Sequence, residues 1–533
     1  MTFGYYSTNI TLGGKNYVVA LDTGSTDVWV HPTGPDATGE FNDTRIPLEL
    51  RYGDGSYGVR GTIATAPFQM GSFNVSRQAF LHATYGTVGG IYELGLDGVL
   101  GLSFDFTSAS PINRAVKARD PNATWAASPL KNILDSDPGR PNFVAIDLAR
   151  TDDLEGTTGG SFAIGEYDEQ WRDIANATKL TQFPKGAERW TTVLGGILVD
   201  GNRVNVTGRL VRGGGIATLL DTGDPSGVLP ERIRDGIYSR IPGAVSIVQR
   251  NAKSWIVPCN STAIVEFEFG GQKFPMHPLD LSFISDPITA GGKQYTACVG
   301  TIYGMNDVGG NEFEAVLGDV FLRNVYGLYD FGDTQANGTA GEPYMQLLSQ
   351  TNTSLAVTEV APYRNRTMAS LPPEIPPAQL VELLTAQNPP VSTTDSDAPT
   401  CESTCTPSAV RRSDSTPLTL LTPREEDGSQ DSSSGSVKRD PLLVSLLVLN
   451  LAVGIAVLGF GVLNYVRNGR ILRRPMRTGA HYSTASASAG RTSNLDSMSL
   501  YAGSTQGGPF RGHYEELDGQ SRSPSVTYTA LAN

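Results

Sequence analysis

Cysteine is scarce in this 533-residue chain: there are four, Cys259, Cys298, Cys401 and Cys405, and none in the first 258 residues. A dense disulfide scaffold is therefore excluded, and the core has to come from apolar burial. Histidine is equally sparse, at five. His82, His277 and His513 stand alone in sequence without the neighbouring ligands that a metal site needs, so neither a metal nor another cofactor is expected. Positive charge is also short. The formal net charge is −13, made of +4 from Arg467 onward and −17 before it. Phosphate binding needs a positive surface, so nucleic acid is excluded as a partner. Long apolar runs are missing from the first 440 residues. The start, Met1-Thr2-Phe3-Gly4-Tyr5, has no basic n-region and no apolar h-region.

What is present divides the chain. Hydrophobic residues at 39% and charged ones at 18% describe a globular protein, too long for one ordinary core. Sixty glycines break up short β-like runs such as Tyr17–Leu21, Ile63–Phe68, Phe143–Ile146, Phe162–Ile164 and Ile264–Phe269. An all-β, two-lobed body over residues 1–350 is predicted, with lobes of about 1–150 and 151–350. Residues 351–440 become rich in Pro, Ser and Thr and read as a disordered stalk. Within the stalk Cys401 and Cys405 suit a local disulfide, and the basic pairs Arg411-Arg412 and Lys438-Arg439 suit solvated linker.

Residues 441–466 form an uncharged apolar segment, LLVSLLVLNLAVGIAVLGFGVLNYV from Leu442. At about 1.5 Å per residue a helix of this length crosses a ~30 Å hydrocarbon layer. Five arginines follow within eleven residues, so residues 467–533 are expected to be a disordered cytoplasmic tail. Ten N-x-S/T sequons begin at Asn9, Asn42, Asn74, Asn122, Asn176, Asn205, Asn260, Asn337, Asn352 and Asn365, all before the span. The expectation is a single-pass type I membrane glycoprotein, its body outside the cell or in a secretory or vacuolar lumen. That topology requires a signal sequence upstream of Met1. Tyr514-Glu515-Glu516-Leu517 and Tyr528-Thr529-Ala530-Leu531 have the form read by sorting adaptors, although such tetrapeptides are common by chance.

The chemistry lies in a repeated turn. Asp22-Thr23-Gly24-Ser25 ends an apolar strand, and Asp221-Thr222-Gly223 ends another 199 residues later. One Asp-Thr-Gly arises by chance in about one of ten chains this long. Two, each closing an apolar strand, point to a carboxylate pair that shares one proton. Such a pair can activate water and protonate a carbonyl, hydrolysing an amide with no covalent intermediate.

These residues resemble the pepsin-like aspartic peptidases, fungal members in particular, over residues 3 to about 350. Val99-Leu100-Gly101-Leu102 and Val316-Leu317-Gly318-Asp319-Val320-Phe321 match the family's apolar-apolar-Gly segments behind each aspartate. Tyr52-Gly53-Asp54-Gly55-Ser56 matches the flap over the substrate, and Trp29 matches the tryptophan that hydrogen-bonds the flap tyrosine. The resemblance implies a bilobal fold, catalytic Asp22 and Asp221, and turn support from Thr23, Gly24, Ser25, Thr222, Gly223 and the residue at 224. It also implies a Cys259–Cys298 disulfide, protein or peptide substrates, a missing upstream propeptide, and acceptance of Lys or Arg before the scissile bond through Asp54. Two departures stand out. The family's disulfide in the first lobe is absent, and Asp224 replaces the usual Ser or Thr. A third carboxylate either perturbs the dyad, to the point of an inactive binding or adhesion protein, or turns away from it.

Overall fold

The computed structural model describes residues 4–33, 38–53, 55–151, 154–249, 252–332, 341–387 and 527–528. The rest of the expected stalk with Cys401 and Cys405, the apolar span, Tyr514 and Asp54 lie outside these residues. Among the described residues no helix is long and apolar enough to cross a membrane.

Apolar side chains on both faces make Val18–Leu21 a strand that must be covered on both sides. Lys15–Asp22 pairs antiparallel with Ser7–Leu12 through a Gly13-Gly14 turn, whose φ values of 55° and 80° suit a two-residue hairpin. Its other edge runs parallel to Gly98–Gly101, with Asp22 opposite Gly101, and that strand pairs antiparallel with Val28–Val30. The second half repeats the pattern. Ile216–Leu220 runs parallel to Ala315–Leu317, which pairs antiparallel with Gly227–Leu229. In both halves the chain past the aspartate turn loops around the end of the neighbouring strand. A Cβ on Gly101 would fall 2.3 Å from the Thr26 carbonyl carbon, and one on Gly318 1.8 Å from the Asp224 carbonyl oxygen. Only glycine fits either crossing.

A third sheet takes strands from both halves. Phe143–Arg150 pairs with Thr157–Ile164 on one edge and with Val325–Asp330 on the other, and Tyr344–Ser349 follows. Trp190, fully buried, packs at 4.3 Å from Phe104 and 4.7 Å from Phe331, and its Nε1–H donates to the Leu102 carbonyl at 3.1 Å. Strands dominate throughout, with short helices between them. Cys259 and Cys298 are bonded.

Residues 351–387 correct the expected stalk. Helices Thr353–Met368 and Pro377–Gln387 dock on the second half. Arg364 is buried, donating to the Ser282 carbonyl at 2.6 Å and facing Glu155 at 3.4 Å. Glu374 accepts the Cys259 amide at 2.8 Å, and Leu380 and Leu384 pack with Ile256, Ala290 and Ala297. Composition misled because the prolines read as linker, whereas Pro377 opens a helix, where its missing N–H costs nothing. Leu380 and Leu384, four apart, form its buried stripe.

A chain ending at Gln350 should therefore unfold below one ending at Gln387. Each buried leucine contributes about 1.5–3 kcal/mol, and the midpoint should fall by at least about 5 °C. Equal midpoints in thermal denaturation would show that the two helices are not part of the folded unit.

Candidate active site

The two Asp-Thr-Gly turns meet where the halves join. Thr23 N–H donates to Thr222 Oγ1 at 3.1 Å, and Thr222 N–H donates to Thr23 Oγ1 at 2.9 Å. Each hydroxyl then donates across to the opposite strand end, Thr23 to the Leu220 carbonyl at 2.8 Å and Thr222 to the Leu21 carbonyl at 2.9 Å. Both threonines are fully buried, so all four bonds form in a dry site.

This clamp brings the carboxyls of Asp22 and Asp221 side by side, close enough for each to shift the other's ionisation. The glycines of the turns leave room for it. A Cβ on Gly24 would lie 2.3 Å from Asp221 Oδ2, and one on Gly223 would lie 2.4 Å from Asp22 Oδ1. Each glycine is thus the wall against which the other half's carboxylate sits.

The carboxylates are not equivalent. Asp22 Oδ1 accepts from the Gly24 amide at 2.8 Å and the Ser25 amide at 3.1 Å, and its Oδ2 accepts from the Ser25 hydroxyl. Asp221 accepts one amide, from Gly223 at 2.8 Å. The position that mirrors Ser25 is Asp224, which cannot donate when ionised. Its Oδ1 instead accepts the Ser226 amide at 2.8 Å and hydroxyl at 2.6 Å. Burial raises Asp22, partly offset by the Ser25 and Gly24 hydrogen bonds. Burial raises Asp221 much further, aided by the negative charges of Asp22 and Asp224. Two raised carboxyls held side by side suit a pair that shares one proton.

Tyr52 ends the strand Asn42–Tyr52 and accepts from Trp29 Nε1–H at 2.6 Å. The reversal that follows uses Gly53 and Gly55, at φ 58° and 87°. A cleft of about 840 Å³ runs between the halves past both aspartates. Under the flap lies a 350 Å³ apolar chamber lined by Tyr5, Trp29, Tyr52, Val88, Ile91 and Val99.

Three groups near the dyad escaped the sequence reading. Asp319 is buried, neither of its carboxyl oxygens has a hydrogen-bond partner among the described residues, and burial raises it well above the ordinary carboxylate range. Its amide donates to the Asp224 carbonyl at 2.8 Å, which places it directly behind the second turn. Its segment was visible as the apolar-apolar-Gly match, but nothing distinguished its carboxyl. Asp27 accepts from Ser110 Oγ at 2.6 Å and the Ile112 amide at 2.8 Å, with its pKa raised by burial to about 6. Arg189 donates from Nε to the Gly24 carbonyl at 3.2 Å, and no local pattern marked it. Among the described residues, no cluster of three or more His, Cys, Asp or Glu is arranged to hold a metal.

Thr222→Val keeps the shape but removes one donor and one acceptor. The Thr23 amide and the Leu21 carbonyl lose their partners at about 1–3 kcal/mol each. A loss of about 2–4 kcal/mol is expected in denaturant unfolding, with Thr23→Val equivalent by the symmetry of the bonds. A loss under about 0.5 kcal/mol, the level of an ordinary surface substitution, would show that the turns are held by something else.

Residues 5–340 match the eukaryotic aspartyl protease family. The chain is 27% identical over 340 residues to a probable aspartic-type endopeptidase CTSD of Arthroderma otae, covering 61% of this chain and 78% of that one. It is 24% identical to the aspartic-type endopeptidase ctsD of Aspergillus fumigatus, covering 62% of this chain and 64% of that one, and 26% identical to podosporapepsin of Podospora anserina, covering 63% and 74%. A match over more than half of its length, a span that includes both aspartate turns, means that the chain belongs to the eukaryotic aspartyl protease family.

Proposed function

We propose that the protein is an acid endopeptidase in which Asp22 is the general base and Asp221 the general acid. The observation that carries this reading is the unequal hydrogen bonding of the pair. Asp22, with three donors, is the better anion, whereas Asp221, with one amide and two carboxylate neighbours, keeps the proton. A water between them gives a proton to Asp22 as its oxygen bonds to the scissile carbonyl carbon. The Asp221 proton passes to the carbonyl oxygen. The C–N bond then breaks as one hydroxyl of the resulting diol re-forms the carbonyl and returns its proton to Asp221, and the departing nitrogen takes the proton from Asp22. The alternative of an inactive binding protein rested on Asp224, whose Oδ1 is engaged by the Ser226 amide and hydroxyl.

Asp22→Asn and Asp221→Asn should each cut pepstatin-sensitive cleavage of a denatured protein by about 100-fold or more. Substantial activity in either would end the dyad assignment. Asp224→Ser tests the electrostatics. The active form loses its Asp221 proton as pH rises, and the Asp224 charge holds that proton on. Its removal should move the alkaline limb of the activity profile to lower pH, while the acid limb, set by Asp22, stays. An unmoved alkaline limb would show that the Asp224 charge does not reach the pair.

A tether through residues 442–466 is part of the proposal. The sequons support it. Eight of the nine described asparagines are exposed and Asn9 is half-buried, as glycan acceptors must be accessible. One observation runs against a cytoplasmic tail: Thr527–Tyr528 pairs with Gly160–Ser161 of the body. Protease added to sealed vesicles separates the two. A digested tail beside a protected, glycosidase-sensitive body is expected, and a tail protected together with the body would overturn the orientation.

A further inference from the structure

Cations are few along the cleft, and two of the three are occupied elsewhere. Arg51 pairs with Glu49 at 2.9 Å and donates to the Gly55 carbonyl at 3.2 Å, and Arg114 donates to the Ser108 carbonyl at 3.1 Å. Arg189 is the one that reaches a dyad turn. Its Nε donates to the carbonyl of Gly24, the residue whose α-carbon forms the wall behind Asp221. We infer that Arg189 makes the cleft select a substrate with an acidic side chain within a few residues of the scissile bond, on the Gly24 side. The inference rests on the endopeptidase reading above.

The support of Arg189 is rigid. Trp190, next in the chain, is fully buried and bonded to Leu102 of the first half. The Arg189 carbonyl accepts from Gln182 Nε2 at 3.1 Å and from the Thr191 amide at 2.8 Å. With the main chain held on both sides and Nε on Gly24, the plane of the guanidinium is set before substrate arrives, which lowers the cost of recognition.

The remaining edge of the guanidinium can exchange partners. Nη1 pairs with Glu312, on a tight reversal where Phe313 lies against Gly309. Nη2 has no hydrogen-bond partner among the described residues. Arg189 and Glu312 are 33% and 45% exposed, and ion pairs so open to water are worth little. A substrate carboxylate could replace Glu312 and take Nη1 and Nη2 together, the two-bond geometry in which a guanidinium outperforms an ammonium. Four further carboxylates line the cleft besides the dyad and Glu312, of which Asp27 is engaged by Ser110 and the Ile112 amide and Glu49 by Arg51. Asp224 is engaged by Ser226, whereas Glu188 has no side-chain partner among the described residues and would favour the opposite charge. The attachment of Arg189 to the dyad turn itself decides between them.

The test is a set of peptides with one cleavage site, in which Glu, Ala or Lys is placed in turn at each flanking position. At about pH 5.5 a glutamate is ionised. Glu should raise kcat/KM over Ala by about threefold at one position, the scale of a partly exposed ion pair. In Arg189→Leu that preference should disappear, and in Glu312→Gln it should grow, because the competing carboxylate is gone. A preference for Lys there, or a Glu preference unchanged in Arg189→Leu, would overturn the inference. The same peptides are titrated against Asp22→Asn. Arg189-dependent binding of Glu peptides to that variant, with none of them cleaved by the unsubstituted protein, would overturn the peptidase reading and leave this one standing.

Discussion

The reciprocal hydrogen bonds of Thr23 and Thr222 are the constraint on which the rest depends. Two carboxylates repel each other when both are ionised and lose solvation when buried, so an ordinary fold would keep them apart. Here each turn is bonded to the strand that carries the other, and the pair cannot separate without opening four buried hydrogen bonds. The proposed sharing of a proton follows from this enforced closeness. So does the need for glycine at 24 and 223, because any side chain would occupy the space of the opposing carboxylate.

Buried carboxyl groups elsewhere in the protein show what the dyad avoids. Asp280 is fully buried, which raises its pKa, yet ion pairs with Arg150 and Arg323 and a hydrogen bond from Asn324 more than offset that and hold it below the usual carboxylate range. It is a permanently charged strut between Arg150 of the first half and the second. Asp319 lies nearly as deep and Asp221 is half-buried at the cleft, both without such pairing, and burial holds both well above that range. The fold thus uses one residue type for two ends, ionised where guanidinium groups converge and neutral where they do not. The structural cluster is separated from the site only by the short helix Asp319–Leu322, which carries Asp319 at its start and leads into Arg323.

Much of the site was legible because its chemistry is local in sequence. An aspartate at the end of an apolar strand, a following hydroxyl and a glycine are adjacent residues, and their repetition announces a pair. Trp29 and Tyr52 could be matched for the same reason, and the structure joins them at 2.6 Å. The helices of 353–387 were hidden because proline-rich composition was allowed to outweigh a Leu380/Leu384 spacing that is itself a helix signal. Arg189 left no trace at all. Its significance is a contact with Gly24, 165 residues away, and a single arginine beside a tryptophan is unremarkable in sequence.

By itself the sequence determined that two equivalent turns exist, that both end buried strands, and that the first carries Ser25 where the second carries Asp224. Those facts follow from residue type and strand patterning, which are properties of short segments. Which carboxyl keeps the proton, in the mechanism proposed here, is a matter for the tertiary structure alone. The answer depends on where Ser25 and Asp224 direct their side chains, on the charge of Asp224 acting across the turn, and on burial by both halves. Electrostatic energies are sums over neighbours in space, and the neighbours of Asp221 come from residues 22 to 319.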